Sequence, residues 1–309
     1  MKASAPGKII LFGEHAVVYG QPALAVPVTE VHTDVDVSPS SLPGIWIDAP
    51  DIGLHAELNT LPADRPLAAA IHNLLLALGV DPIPNLKVLV TSTIPVASGL
   101  GSGAAVSVAL IRALSAWLER PLSDEQVSTY AYDIEKLHHG TPSGIDNTVI
   151  TYGRPVYFVK GEPMQVLKIG KAFRVVIGDT GIASRTKDSV RDVRTEWEAD
   201  KPRWEAVFER IGSIAREAKS SIETGKWQQL GPLMDQNHAL LQEMSVSSEA
   251  LERLVDAARN AGALGAKLSG GGRGGNMIAL PAEGQAPIVA AALKSAGSPR
   301  VIISTLEPN

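Results

Sequence analysis

"IPVASGLGSGAAVSVALIRAL", residues 94–114, joins a β-like run to a long apolar helix through three glycines and a serine. A plain turn needs one glycine or two, and each one that is ordered loses more conformational freedom than any other residue. Gly99, Gly101 and Gly103 alternate at the mouth of the helix, a spacing that suits a backbone approached closely by something else. Three readings fit. The stretch is a flexible helix entry, a dinucleotide fingerprint or a phosphate cradle. For the second, Gly99, Gly101 and Ala104 satisfy G-x-G-x-x-A, and Glu119 stands about where a ribose-binding acid belongs. That reading would make the chain a nicotinamide-binding oxidoreductase, but it needs a strand between the helix and its acid. "LERPLSDEQ" (118–126) leads instead into another helix, started by a Ser123/Gln126 capping box. For the third, free N–H groups and the helix dipole bind an anion while glycines let the backbone reach it. The common P-loop pattern G-x-x-x-x-G-K-[ST] is absent. The cradle is the favoured reading.

Around this stretch, "HTDVDVSP" (32–39) alternates like a half-buried strand and "LKVLVTSTI" (86–94) is rich in β-branched residues. Residues 65–80 read as a buried helix, and Leu110, Ile111, Leu114 and Leu118 share one helical stripe. "TVITYGRPVYFV" (148–159) reads as a hairpin turning at Gly153, Arg154 and Pro155. Beyond residue 165 the rhythm changes: strand "FRVVIGD" (173–179), three or four helices over 187–262, strands "GAKLS" and "NMIAL", a helix near 285–296 and a last strand, "RVIIST" (300–305). That order is a split βαβ sandwich, the ferredoxin-like arrangement.

The totals narrow the class. The 309 residues, 45% hydrophobic and 20% charged, suffice for one large or two ordinary globular domains. No apolar run reaches the ~18 to 20 residues of a membrane span, and the N-terminal apolar stretch breaks at Gly13-Glu14-His15, so no secretory signal is expected. The chain has no cysteine, which excludes disulfides, thiolate metal sites and cysteine nucleophiles. A net charge of -5 argues against general nucleic-acid binding. A cytoplasmic protein is expected.

Three further stretches bear chemistry. "KLSGGGRGGN" (267–276) sets five glycines around Arg273 between two strands, and reads either as a loose hairpin tip or as a loop closing over substrate or nucleotide phosphates. In "EKLHHGTPSGIDN" (135–147), Glu135 and His139 could share a helix face, but a bare pair with no third ligand is a weak metal signal. "TPSGID" reads as a turn holding Asp146 at the start of a strand, where a single carboxylate could act or merely cap. "APGKIILFGEHAVVYGQPALAVPV" (5–28) begins an apolar strand at Lys8, followed by a second short strand, and its Glu14, His15 and Tyr19 need solvent or a ligand.

Taken together, "APGKIILFGEHAVVYG", "PVASGLGSGAA", "HGTPSGIDN" and "KLSGGGRGGN" resemble the motifs of the GHMP family of small-molecule kinases, in the expected order and over residues 5 to 276. The resemblance implies an α+β fold of two domains. An N-terminal ATP-binding domain like ribosomal protein S5 domain 2 would cover 1–165, and a ferredoxin-like C-terminal domain 166–309, with ATP and substrate in the cleft between them. It also implies phosphoryl transfer from ATP to a small alcohol, with Mg2+. Asp146 would accept the hydroxyl proton, and Lys8 would keep it ionised and steady the developing charge. Glu135 would hold the metal. Pro95, Ser98, Gly99, Leu100, Gly101, Ser102, Gly103 and Ala104 form the phosphate loop. His15 and Thr186 match substrate positions. Where the family carries a second serine that supplies a hydroxyl to the metal, this chain has Gly103. Partners would be small molecules, without nucleic acid or membrane, and a homodimer is compatible with the family. Rival readings are a kinase for another small alcohol or phosphate ester, and a silent relative, against which Lys8, Glu135 and Asp146 argue.

Overall fold

The structure is a computed structural model that describes residues 1–96, 98–139, 142–184 and 186–309, with 138 and 139 described in backbone only. In chain order its regular elements begin with β1 (Lys2–Phe12), β2 (Ala23–Pro39), β3 (Ile45–Ala49), β4 (Leu54–Glu57), α1 (Pro66–Ala77) and β5 (Leu86–Ser92). Helices α2 (Ser102–Trp117), α3 (Asp124–His139) and α4 (Ile145–Tyr152) follow, then strands β6 (Val156–Phe158), β7 (Gln165–Val166) and β8 (Phe173–Asp179). Next come α5 (Thr186–Ala199), α6 (Lys201–Glu223), α7 (Leu230–Glu243) and α8 (Glu249–Asn260). The chain ends with β9 (Ala263–Ser269), β10 (Asn276–Pro281), α9 (Ala286–Ser295) and β11 (Arg300–Leu306). No described helix is long and apolar enough to cross a membrane.

The chain forms two compact units. The first comprises Met1–Gly7, Val31–Val96 and Gly101–Gly153. Its half of β2 follows the period-two rule: Val31, Thr33, Val35 and Val37 are buried, and the residues between them are not. Val35 faces Val90 and Val37 faces Val88 across the antiparallel pair with β5, while β3 runs parallel to β5 and carries β4 on its other edge. Helix α2 buries Leu110, Ile111 and Leu114 and packs against α1, α3 and α4. At the start of α3 the capping box forms: the Ser123 N–H donates to Gln126 Oε1 at 3.0 Å and the Gln126 N–H to Ser123 Oγ at 3.3 Å. Between α2 and α3 there is no strand, which removes the dinucleotide reading of Glu119.

The second unit comprises Lys8–Glu30, Ala97–Leu100 and Arg154–Asn309. Its four-stranded sheet has the order β11-β8-β10-β9, every pair antiparallel. With β8 counted first, that is 4-1-3-2, the order a βαββαβ chain gives when its halves interleave. Four helices, α5 to α8, fill the first crossover, as the spacing of the sequence indicates.

Three local expectations are corrected. Residues 148–159 are no hairpin: 145–152 form α4, so Asp146 lies in the first turn of a helix rather than at the start of a strand. Gly144 at φ 93 starts the helix, and Thr148 Oγ1 donates to the Gly144 carbonyl at 2.7 Å. Lys8 lies within β1 rather than at its start, and β2 is a strand of 17 residues rather than a short one.

Candidate active site

In the first unit, the site-forming stretch is the entry to α2. Gly101 takes φ 77, a left-handed conformation that favours glycine, and turns the chain so that Ser102 opens the helix. A glycine cap offers no side chain to the first N–H groups of the helix, which, with the helix dipole, favour an anion. Ser102, Gly103 and Ala104 supply those groups. Glu135 of α3 is buried, and a Cβ added at Gly103 would lie 3.2 Å from its Oε1. Its carboxylate therefore stands at the anion-binding end of α2. The donor chemistry fits Mg2+, which takes carboxylate and phosphate oxygens and keeps several waters. Among the described residues no three His, Asp or Glu side chains gather into a protein-only metal cage. The His139 side chain, which the Glu135/His139 pairing needs, lies outside the described residues, as do Gly140 and Thr141.

Asp146 is half-buried in the first turn of α4, where its charge complements the positive end of the helix. The next residue, Asn147, was not singled out by the sequence, yet it fixes the helix. Its buried Nδ2 donates to the Ser128 carbonyl at 3.1 Å and to Ser128 Oγ at 2.9 Å, tying α4 to α3. Asp146 and Glu135 thus sit on two helices bound side by side.

In the second unit, the loop residues Ser98, Gly99 and Leu100 are held by backbone contacts. The Lys8 N–H donates to the Leu100 carbonyl at 2.9 Å, and Asn276 Nδ2 to the Ser98 carbonyl at 2.5 Å. Lys8 is itself buried. His15 takes φ 60 and its Nε2–H donates to the Gly271 carbonyl at 3.2 Å. Burial, with a lesser push from the Arg273 charge, lowers its pKa to about 4, so the ring is neutral at pH 7 and Nδ1 is left as an acceptor. Thr186 opens α5, and a Cβ at Gly271 would come within 2.6 Å of its Oγ1. The two residues matched to substrate positions therefore meet at one glycine. Pro95, the remaining member of the phosphate-loop set, precedes it in the first unit.

The glycines of 270–275 have a structural use as well. Added Cβ atoms at Gly272, Gly274 and Gly275 would run into the backbone of Val246, Ile182 and Ser98. Arg273 anchors the loop further, its N–H donating to the Val246 carbonyl at 2.8 Å and its guanidinium pairing with Asp192. The loop is pinned by its own protein.

Glu14 and Tyr19 each find a protein partner for part of the side chain, while Glu14 Oε2 and the buried Tyr19 hydroxyl have no hydrogen-bond partner among the described residues. Glu14 pairs with Lys267, both fully buried, a partner that the sequence did not disclose because it lies 253 positions away. Tyr19 stacks on Phe208 with centroids 4.1 Å apart.

Comparison with known proteins matches two family models, the GHMP kinases N terminal domain over residues 66–154 and the GHMP kinases C terminal over residues 218–299. The mevalonate kinase of Pyrococcus abyssi is 38% identical over 317 residues, covering 97% of this chain and 94% of the relative. That of Pyrococcus horikoshii is 40% identical over 315 residues, covering 96% and 92%. Among solved structures, L. major mevalonate kinase in complex with R-mevalonate superposes with a TM-score of 0.86 at 31% identity, covering 100% of this chain and 96% of that one. The Methanococcus jannaschii mevalonate kinase gives 0.83 at 26%, covering 100% and 98%.

Proposed function

The chain belongs to the mevalonate kinases of the GHMP kinase family, and we propose that it phosphorylates the 5-hydroxyl of (R)-mevalonate with ATP, giving 5-phosphomevalonate and ADP. One observation carries this reading: similarity to mevalonate kinases runs over nearly the whole chain. Phosphoryl transfer is mainly positioning and neutralisation of charge. In this reading the N–H groups of Gly101 to Ala104 bind the β- and γ-phosphates, with Pro95, Ser98, Gly99 and Leu100 shaping the loop. Asp146 accepts the proton of the attacking hydroxyl, and Lys8 steadies the negative charge that develops. His15 presents a neutral acceptor to a substrate hydroxyl, and Thr186 Oγ1 lies at the same glycine. Glu135 holds Mg2+, which when bound neutralises phosphate charge. Along the sequence the ATP-binding domain is taken as 1–165 and the ferredoxin-like domain as 166–309, which accommodates both family models, although residues 8–30, 97–100 and 154–165 pack with the second compact unit. The enzyme is assigned to the cytoplasm.

The test is ADP release with (R)-mevalonate against phosphomevalonate, homoserine and galactose. Turnover with mevalonate alone is expected. Faster turnover of any other substrate overturns the assignment.

A further inference from the structure

Lys267 and Glu14 form a buried ion pair that the reaction described above does not use. Both side chains are fully buried. Lys267 Nζ donates to Glu14 Oε1 and, at 2.7 Å, to the Leu268 carbonyl. The Leu268 N–H in turn donates to Nδ1 of buried His238 at 3.2 Å, so the strand that carries Lys267 is held from its far side. Glu14 Oε2 has no hydrogen-bond partner. Replacing such a pair with apolar groups is often neutral or stabilising, so stability alone does not account for it.

Its placement does. Residues 267 and 269 point to the same face of β9, and both reach the segment that carries Lys8 and His15. Ser269 Oγ donates to the Ile10 carbonyl at 2.7 Å and accepts from the Ile10 N–H at 3.2 Å. Lys267 takes Glu14. Two residues beyond Ser269, the Gly271 carbonyl takes His15. Positions 267, 269 and 271 therefore grip residues 14, 10 and 15 respectively. The Lys8 charge acts on the Glu14 carboxylate, while burial dominates and raises its pKa; burial likewise lowers that of Lys267.

We propose that Lys267 is a positioning residue for the transfer: acting through Glu14, it fixes the Lys8–His15 segment where the reaction needs it. The proposal rests on the roles given above to Lys8 and His15. A misplacement of about 1 Å in such a segment costs about 100-fold in rate.

The experiment compares Glu14→Gln, Lys267→Met, the double variant and Glu14→Asp in the full chain, measuring melting temperature, kcat, and KM for mevalonate and ATP. Each charge-removing single variant leaves one buried charge uncompensated and loses both stability and rate. The double variant regains stability, yet its kcat stays about tenfold to 100-fold below the parent and its KM for mevalonate rises more than that for ATP. Glu14→Asp keeps the pair but shortens its reach by one methylene, and its kcat also falls about tenfold. A double variant whose kcat returns with its melting temperature shows a purely structural pair and overturns the proposal. So does a Glu14→Asp variant with parent kcat, which decides the matter if the double variant does not fold. If the parent enzyme itself fails to turn over mevalonate, the functional reading falls first, a result no variant can mimic.

Discussion

Asp146 opens α4 with its carboxylate half-exposed, and the role given to it is tested by Asp146→Asn. The variant keeps shape and the hydrogen-bonding ends, so fold and ATP affinity should persist while kcat falls about 10²- to 10⁴-fold, the usual contribution of a general base. Near-parent turnover would remove Asp146 from the chemistry. His15 gives a second prediction, in stability. Its ring is neutral in the folded protein down to about pH 4, whereas in the unfolded chain it takes up a proton below about 6.5. Unfolding therefore binds a proton between those values, and stability falls as pH drops through that window. The loss should approach about 3 kcal/mol at pH 4 and vanish above about pH 6.5. His15→Asn tests it, since asparagine tolerates the positive φ found there. Denaturant melts of the variant should lose about 3 kcal/mol less across this window than the parent, and what remains includes the contribution of His238, whose pKa burial also lowers. A variant that loses stability between pH 6.5 and 4 as steeply as the parent would place the proton elsewhere.

In the first turn of α2, Gly103 stands where the family resemblance implies a serine. A serine there would set its Cβ 3.2 Å from Glu135 Oε1, tight enough that the carboxylate must give by a few tenths of an ångström. It would also raise helix propensity by about 0.5 kcal/mol and add an oxygen beside a carboxylate well suited to a hard cation. Gly103→Ser should thus melt no lower than the parent and reach half-maximal rate at lower Mg2+. A higher Mg2+ requirement would mean that the glycine is kept for space. For α4 the decisive residue is Asn147. Removing its side chain leaves the Ser128 carbonyl and hydroxyl without their donor. Asn147→Ala should cost about 1–3 kcal/mol and lower kcat more than ATP affinity, because Asp146 is the next residue. Unchanged kcat in a destabilised variant would separate the helix from the chemistry. The helix was illegible in the sequence for a physical reason. "TVIT" (148–151) is a β-branched run that favours strands, and only contacts with α3 and the left-handed Gly144 override it. The capping box of α3 and the glycine entry of α2 were legible because their signals are local.

At the scale of the molecule, the βαββαβ order beyond residue 165 was legible because its four strands are short and cleanly punctuated. The N-terminal pieces were not. Pro27 interrupts the apolar pattern of β2, so a strand of 17 residues read as two. Nor does any local pattern tell that residues 8–30 fold with the C-terminal sheet. That membership has a consequence for dissection of the chain. The segment brings Ile9, Leu11, Phe12, Leu24 and Val26 into the interior, all nearly or fully buried. It also brings Glu14, the carboxylate facing fully buried Lys267. A fragment of residues 154–309 keeps every strand of the four-stranded sheet but loses these side chains, each worth about 1.5–3 kcal/mol when buried. It also leaves a buried ammonium without its counter-charge, a defect that costs about 3–5 kcal/mol. Domain stabilities are about 5–15 kcal/mol in total, so the loss is of the same size as the whole. The fragment should show no cooperative thermal transition and no dispersed amide spectrum, whereas the full chain shows both. A cooperative melt from the fragment alone would mean that the sheet is self-sufficient and that residues 8–30 are a passenger on it.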